Sequence, residues 1–165
     1  MITCVCVCGE DWERVWVKEI EVAAVVSVLN RASRIYAWNG AHFDLPFMQR
    51  VWKLSDTQVG LWMSKLVDPL YVASGLVNMW EKLQSVLERN GLAGKCGTGA
   101  EAVQLARDGK WDELGKYCLV DTRQTYLLLA NRDSILYNDR ITFILRPQVQ
   151  IVLDSSGGIT TPIAP

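Results

Sequence analysis

The hydrophobic positions of this chain change period several times, and each change marks an element. Residues 2–8 (Ile-Thr-Cys-Val-Cys-Val-Cys) are apolar or β-branched almost throughout, which predicts a strand buried on both faces. Within it Cys4, Cys6 and Cys8 fall on one face and Val5 and Val7 on the other. Gly9-Glu10-Asp11 supplies a turn, and Arg14–Lys18 alternates like the second strand of a hairpin. From Glu19 to Ala32 the apolar residues recur at helical spacing, predicting an amphipathic helix. Arg34–Trp38 reads as another buried strand, ending at Asn39-Gly40.

Further along, Asp44 with Pro46 behind it signals a helix start, an N-cap followed by a first-turn proline, and that helix is expected to run to about Lys53. Lys65–Asp68 is a short strand, and Pro69 opens a long helical stretch toward Asn90-Gly91, a C-cap signature. Thr98-Gly-Ala-Glu101 is a capping box starting a helix through Arg107, broken by Asp108-Gly109. The strongest helical pattern is Trp111–Asn131. Residues 141–153 are β-like, and Ser155-Ser156-Gly157-Gly158 forms a turn before a proline-containing tail. A hairpin, a helix, strands and then several helices predict an α/β fold, a mixed sheet with helices on both sides.

At 165 residues, half of them hydrophobic and 21% charged, the chain fits one folded domain with a sizeable core. A net charge of −1 argues against holding a duplex by bulk electrostatics. It leaves room for an enzyme that grips a strand end through divalent metal, which needs only a local cluster of acids. The seven Trp are dispersed and read as core and rim residues rather than a stacking platform. Five cysteines, an odd number, suit reduced thiols. With no Cys-x-x-Cys and a single histidine, His42, they read as small buried hydrophobes rather than metal ligands. No stretch approaches a membrane span, and the N-terminal apolar run lacks a basic flank, so an intracellular protein, cytoplasmic or nuclear, is expected.

The candidate chemistry lies in two segments. Asp44 stands at a strand end and helix start, where open α/β sheets place ligand sites. Tyr117 and Asp121 are spaced i, i+4 and share one helix face. Two carboxylates from different elements can hold a divalent cation that clamps a phosphodiester, with the tyrosine orienting water. Plainer readings stand beside this one. Asp44 alone is an N-cap, Asp121 a solvated stripe on an apolar helix, and Tyr117 a core residue.

Asn39-Gly-x-x-Phe-Asp44 followed by Pro46 resembles the second motif of DnaQ-like (DEDD) 3′→5′ exonucleases, which have a ribonuclease H-like fold. Tyr117-x-x-x-Asp121 resembles their third motif in its tyrosine (DEDDy) form, as in the proofreading domain of family-B DNA polymerases. The segment Leu83-x-x-Val86 to Thr98-Gly99 is similar to what precedes that motif, so the resemblance covers about residues 1–132, with 133–165 as a β-like extension of the same domain. It implies Asp44 and Asp121 as ligands for Mg²⁺ or Mn²⁺, Tyr117 as the residue that positions water, and Asn39 and Phe43 beside the terminal nucleotide of a single-stranded DNA or RNA 3′ end. A polymerase or strand-donating protein is an expected partner, and a membrane is not. Asp68, ahead of Pro69, matches no catalytic position and reads as a helix cap. His42 reads as an exposed loop residue, with a phosphate contact as the alternative.

The family's first motif, an Asp-x-Glu strand preceding the one matched by residues 2–8, has no counterpart, and Glu10 and Asp11 lie after that strand, at a turn. By resemblance the missing strand lies between the 2–8 and Arg34–Trp38 strands, and without it both have unpaired edges. The sheet closes directly, another chain donates the strand, or the sequence is a piece of a longer protein, the last being the favoured expectation. The functional expectation is an exonuclease-family domain inactive or nearly so in this form. The alternative is a non-catalytic nucleic-acid-binding or protein-interaction module.

Overall fold

The computed structural model describes residues 2–74, 81–94, 97–130, 132–137, 140–144, 152–153 and 159–160. The chain begins with an antiparallel hairpin of β1 (Cys4–Cys8) and β2 (Glu13–Val17), in register Cys4 with Val17 and Cys8 with Glu13. Helix α1 (Val22–Arg31) follows, then β3 (Ile35–Tyr36), α2 (Asp44–Trp52), α3 (Asp56–Met63) and β4 (Leu66–Val67), which pairs parallel with β3. Helices α4 (Pro69–Ser74), α5 (Leu83–Arg89), α6 (Gly99–Arg107) and α7 (Trp111–Leu129) complete the helical part. Two antiparallel pairs end the chain, β5 (Ser134–Tyr137) with β6 (Arg140–Phe143) and β7 (Val152–Leu153) with β8 (Ile159–Thr160).

The mixed α/β class is as expected, but a single sheet is not formed. The described strands make four two-stranded sheets, and β1 is not hydrogen-bonded to β3. Direct closure of the sheet across the gap, one of the three outcomes anticipated, does not occur. What unites β1 with β3 and β4 is side-chain packing.

That packing follows strand periodicity. Ile35, Ala37 and Leu66 point to one side of the β3–β4 pair, into a core with Val25 and Leu29 of α1, Leu45 of α2, Trp62 of α3 and Val5 of β1. Tyr36, Trp38 and Val67 point to the other side, into a second core with Leu83, Val86 and Leu87 of α5, Leu128 and Leu129 of α7, and Ile135 and Tyr137 of β5. The alternation of two along β3 and β4 therefore separates two cores. Each fully buried Val or Leu, such as Val25, Val86, Leu87 and Leu128, contributes about 1.5–3 kcal/mol.

Caps match the sequence closely. Thr98 and Glu101 form the reciprocal capping box, and Gly91 and Gly109 sit at φ +69° and +71° beyond α5 and α6. Asn90 does more than end α5. Its side-chain amide donates to Leu136 O and accepts from Leu136 N, both at 3.0 Å, so it pairs with the edge of β5. The single helix expected from Pro69 to Asn90 is described as α4 and α5, with residues 75–80 outside the described set. The 155–158 turn also lies outside it. Helix α3 is an addition: Ser55 caps it by accepting from Gln58 N at 3.2 Å, but its apolar residues encircle the helix, with Trp62 buried and Leu61 exposed. No apolar stripe marks it in the sequence.

The tightest polar junction is Lys65, only 7% exposed. Its ammonium donates to Leu29 O, Asn30 O and Ala32 O, each at 2.9 Å, and so closes the C-terminus of α1. All three of its donors meet carbonyls left without partners by the end of the helix. Burial lowers the Lys65 pKa from its ordinary value. Asn30 extends the junction by accepting from Trp62 Nε1 at 2.8 Å. Replacing Lys65 with Met keeps the stem but strands these carbonyls. The expected loss is about 3 kcal/mol, or roughly 6–12 °C in Tm for a chain of this size. Thermal melts of Lys65→Met beside Lys82→Met, an exposed lysine with a shift under about 1 °C expected, test this; equal shifts would refute the capping role.

Candidate functional site

The segment that leaves β3 is shaped by a buried anion. Asp68, 3% exposed at the end of β4, accepts from Asn39 N and Ala41 N at 3.0 Å each and from Leu70 N at 3.2 Å. It does start α4, as the sequence indicates, but two of its three bonds go to a turn 27 and 29 residues earlier. Asn39 takes a left-handed conformation, φ +66°, which Asn tolerates better than most residues. Gly40 is required by space: a Cβ there would stand 2.5 Å from Ala37 Cβ. The turn then tightens through Phe43 N to Asn39 O and Leu45 N to Gly40 O, both 2.9 Å, and α2 begins.

Two details of that start differ from the expectation. Phe43, not Asp44, holds the N-cap position, and Asp44 is the first helical residue, with no side-chain cap present. Pro46 accordingly falls at the third helical position, where a missing N–H is still harmless. The carboxylate of Asp44 is turned toward the Asn39–Ala41 turn. Its Oδ2 lies 3.7 Å, and Asp68 Oδ2 3.9 Å, from the point a Gly40 Cβ would occupy. Surrounding protein pushes the Asp44 carboxyl up to about 6, with the Asp68 charge adding to it, its own backbone N–H opposing, and Cys118 adding a smaller rise. Asp44 is also exposed on its outer side, so water moderates the desolvation.

An aromatic rim borders this acid. Phe43 is 63% exposed and stacked on Phe47, with ring centroids 6.1 Å apart, and Arg50 lies over the Phe47 ring at 5.5 Å. His42 is exposed, as expected, and packs its ring 5.4 Å from that of Tyr71.

Helix α7 carries the other candidates. Acids Asp112 and Glu113 in its first turn complement its dipole, and Gly115 lets it lie close on the hairpin, 3.2 Å from Val15 Cγ1 measured from the position of an added Cβ. Arg123 clamps it to β2 through Glu13 at 2.7 Å. Cys118 lies close enough to Asp44 for its charge to raise that carboxyl slightly, and Asp121 follows three residues later on the same helix. Tyr117 faces α6. It lines an open cleft of about 610 Å³ between α6 and α7 with Glu101, Gln104 and Lys110.

Asn39, Phe43 and Asp44 are therefore brought together on one turn, while Tyr117 and Asp121 stand on α7, with Tyr117 opening toward α6. The residues that sequence reasoning missed are Asp68, whose position before Pro69 was its only signal, and Cys118, which carried none. The cysteines, expected as small buried hydrophobes, are half-buried at Cys4, Cys6, Cys8 and Cys118. Cys4, Cys6 and Cys118 have their sulfurs within 4.8 Å of one another, the one set of three or more Cys, His, Asp or Glu ligand atoms so grouped among the described residues. Hydrogen bonds from Cys118 and Cys6 hold the Cys4 thiol down at about 4, whereas Cys118 is pushed up to about 12 and Cys6 is also raised, chiefly as partners in those bonds.

Comparison with known proteins finds no matching family model, curated protein or solved structure. Among the described residues no helix is long and apolar enough to cross a membrane.

The raised Asp44 carboxyl makes a signed prediction. A carboxyl whose folded pKa lies above its unfolded value of about 4 contributes stability below that value and loses it as pH rises through about 6. Asp44→Asn removes the charge that costs stability above this window. After discounting for solvent access the gain is no more than about 1 kcal/mol, so Tm should rise by about 2–4 °C at pH 7.5 and not at pH 4. A gain of equal size at both pH values would show that ionisation is not the cause.

Proposed function

We propose that this chain is a 3′→5′ exonuclease-family domain of ribonuclease H-like type that takes the single-stranded 3′ end of DNA or RNA at the Asn39–Asp44 turn. The observation that carries the reading is the placement of Asp44: it follows the C-terminal end of a parallel β-strand pair, with the buried Asp68 carboxylate acting on it and Phe43 exposed next to it. Phe43 offers a ring for the terminal base, and Arg50, over Phe47, offers a cation for a phosphate. The reduced thiols agree with an intracellular setting.

The donor chemistry fits one hard cation. Mg²⁺ is commonly held by one or two carboxylates together with substrate phosphates and water, and Asp44 and Asp121 are the pair proposed for it. The charge of Asp68 on Asp44 leaves a negative field that a cation relieves. Mg²⁺ or Mn²⁺, when bound, neutralises phosphate charge and activates water. Asp44 and Asp121 alone fall short of the carboxylates that a two-ion centre needs, so the chain is proposed to bind an end strongly and cut it weakly or not at all. A second reading, a non-catalytic nucleic-acid-binding or protein-interaction module, is favoured by one observation: among the described residues no three carboxylates come together.

End-labelled DNA and RNA oligonucleotides incubated with the full chain and Mn²⁺ or Mg²⁺ separate these readings. Metal-dependent binding is expected, with Phe43→Ala weakening it about tenfold, the scale of one lost stacking contact. Progressive shortening from the 3′ end that disappears in Asp121→Ala supports the catalytic reading and sinks the binding-only one. Binding without shortening supports the second. Neither binding nor shortening overturns the exonuclease reading and the nucleic-acid-binding form of the second.

A further inference from the structure

The three-sulfur group between β1 and α7 has no part in the reading above. Cys4 and Cys6 are alternate residues of β1 and face α7, while Val5 and Val7 fill the core behind them. Cys118 meets them from the helix. Cys6 Sγ also lies 3.8 Å from Gly115 O, so the helix backbone is already pressed onto the strand at this point. The helix is docked on the same hairpin by the close approach of Gly115 to Val15 and Val17 of β2 and by the Glu13–Arg123 pair.

The spacing has a chemical meaning. With metal–sulfur bonds of about 2.3 Å, sulfurs sharing one ion stand roughly 3.8 Å apart in tetrahedral and 4.0 Å in trigonal coordination. Cys4 Sγ and Cys6 Sγ are 4.0 Å apart, and Cys118 Sγ lies within 4.8 Å of both. A disulfide fits Cys4 and Cys6 poorly. Same-face neighbours on a strand have Cβ atoms about 6.6 Å apart, well beyond the roughly 3.5–4.5 Å of a disulfide. The donor set is purely sulfur, which selects thiophilic ions over the hard cations of a carboxylate site.

We propose that Cys4, Cys6 and Cys118 form a three-thiolate site for a soft closed-shell cation, Zn²⁺ with water as a fourth ligand or Cu⁺ held trigonally. The ion displaces the thiol protons and staples the N-terminal hairpin to α7. Cys8, one step further along the same strand face and outside the group, is the built-in control.

The full chain, reduced and stripped of metal, is titrated with Co²⁺ as an optical probe, then with Zn²⁺ and, anaerobically, with Cu⁺ against chromophoric chelators. One ion per chain is expected, with a thiolate-to-cobalt band in the near ultraviolet. Cys4→Ser, Cys6→Ser and Cys118→Ser should each weaken binding at least tenfold, and Cys8→Ser should leave it unchanged. The tighter of the two competitions identifies the ion, and either supports the site. X-ray absorption of the loaded wild-type chain, which needs no variant to fold, should count three sulfurs at about 2.3 Å. Fewer than three sulfurs, no ion retained against the chelators, or equal weakening by Cys8→Ser overturns the proposal.

Discussion

The structure depends on what stands at the two ends of β4. In four consecutive residues, Lys65 to Asp68, a buried cation is followed by two core hydrophobes and a buried anion. The ammonium closes α1 by three carbonyl bonds, and the carboxylate captures the amides of the Asn39–Ala41 turn. Leu66 and Val67 point into opposite cores. A strand of two residues supplies few ladder bonds, so its position is set by these charged ends instead. Neither charge pairs with the other: each is satisfied by backbone dipoles, which are strong acceptors and donors with little freedom to rearrange. Through Asp68 the same device places the turn that carries Asn39, Phe43 and Asp44.

The hairpin is held in a different way. Between β1 and β3 there is no hydrogen-bonded ladder, and Val5 alone of β1 reaches full burial in the core shared with β3. The opposite face is covered by α7, where a glycine permits the approach and an Arg–Glu pair fixes the far end. Among the described strands β1 and β3 each pair on one edge only, which accounts for the weight that side-chain packing bears here.

How much of this was legible in the sequence follows from the range of each interaction. The hairpin, α1, the capping box at Thr98 and the left-handed ends at Gly91 and Gly109 rest on contacts within a few residues, and short-range patterns report them. Helix α3 was hidden because its buried residue Trp62 and its exposed residue Leu61 are adjacent and make no stripe. The role of Asp68 was hidden because its partners are amides, which have no residue signature, 27 and 29 positions away. The motif turn itself was readable, but the position of Asp44 within it was not: Phe43 takes the N-cap place, and the aspartate carboxylate lies beside Gly40 and near Asp68, far along the chain. The thiol group shows the same limit. Alternation told which face Cys4 and Cys6 share, and nothing local told that Cys118 would meet it.

Cys118 stands at the junction of two chemistries. It belongs to the sulfur group and acts on Asp44, so the charge of that group is felt at the oxygen site. Were the sulfur group to take an ion as proposed, its charge would depend on which one: three thiolates around Zn²⁺ carry one negative charge, and three around Cu⁺ carry two. The copper-loaded group would be the more negative and would drive the Asp44 carboxyl further up. A hard cation held at Asp44, as the proposed function requires, would act in the opposite sense and draw that carboxyl toward its ionised form. Under the two proposals together the sites are coupled by charge, and zinc is the ion that adds less to the field Asp44 already feels.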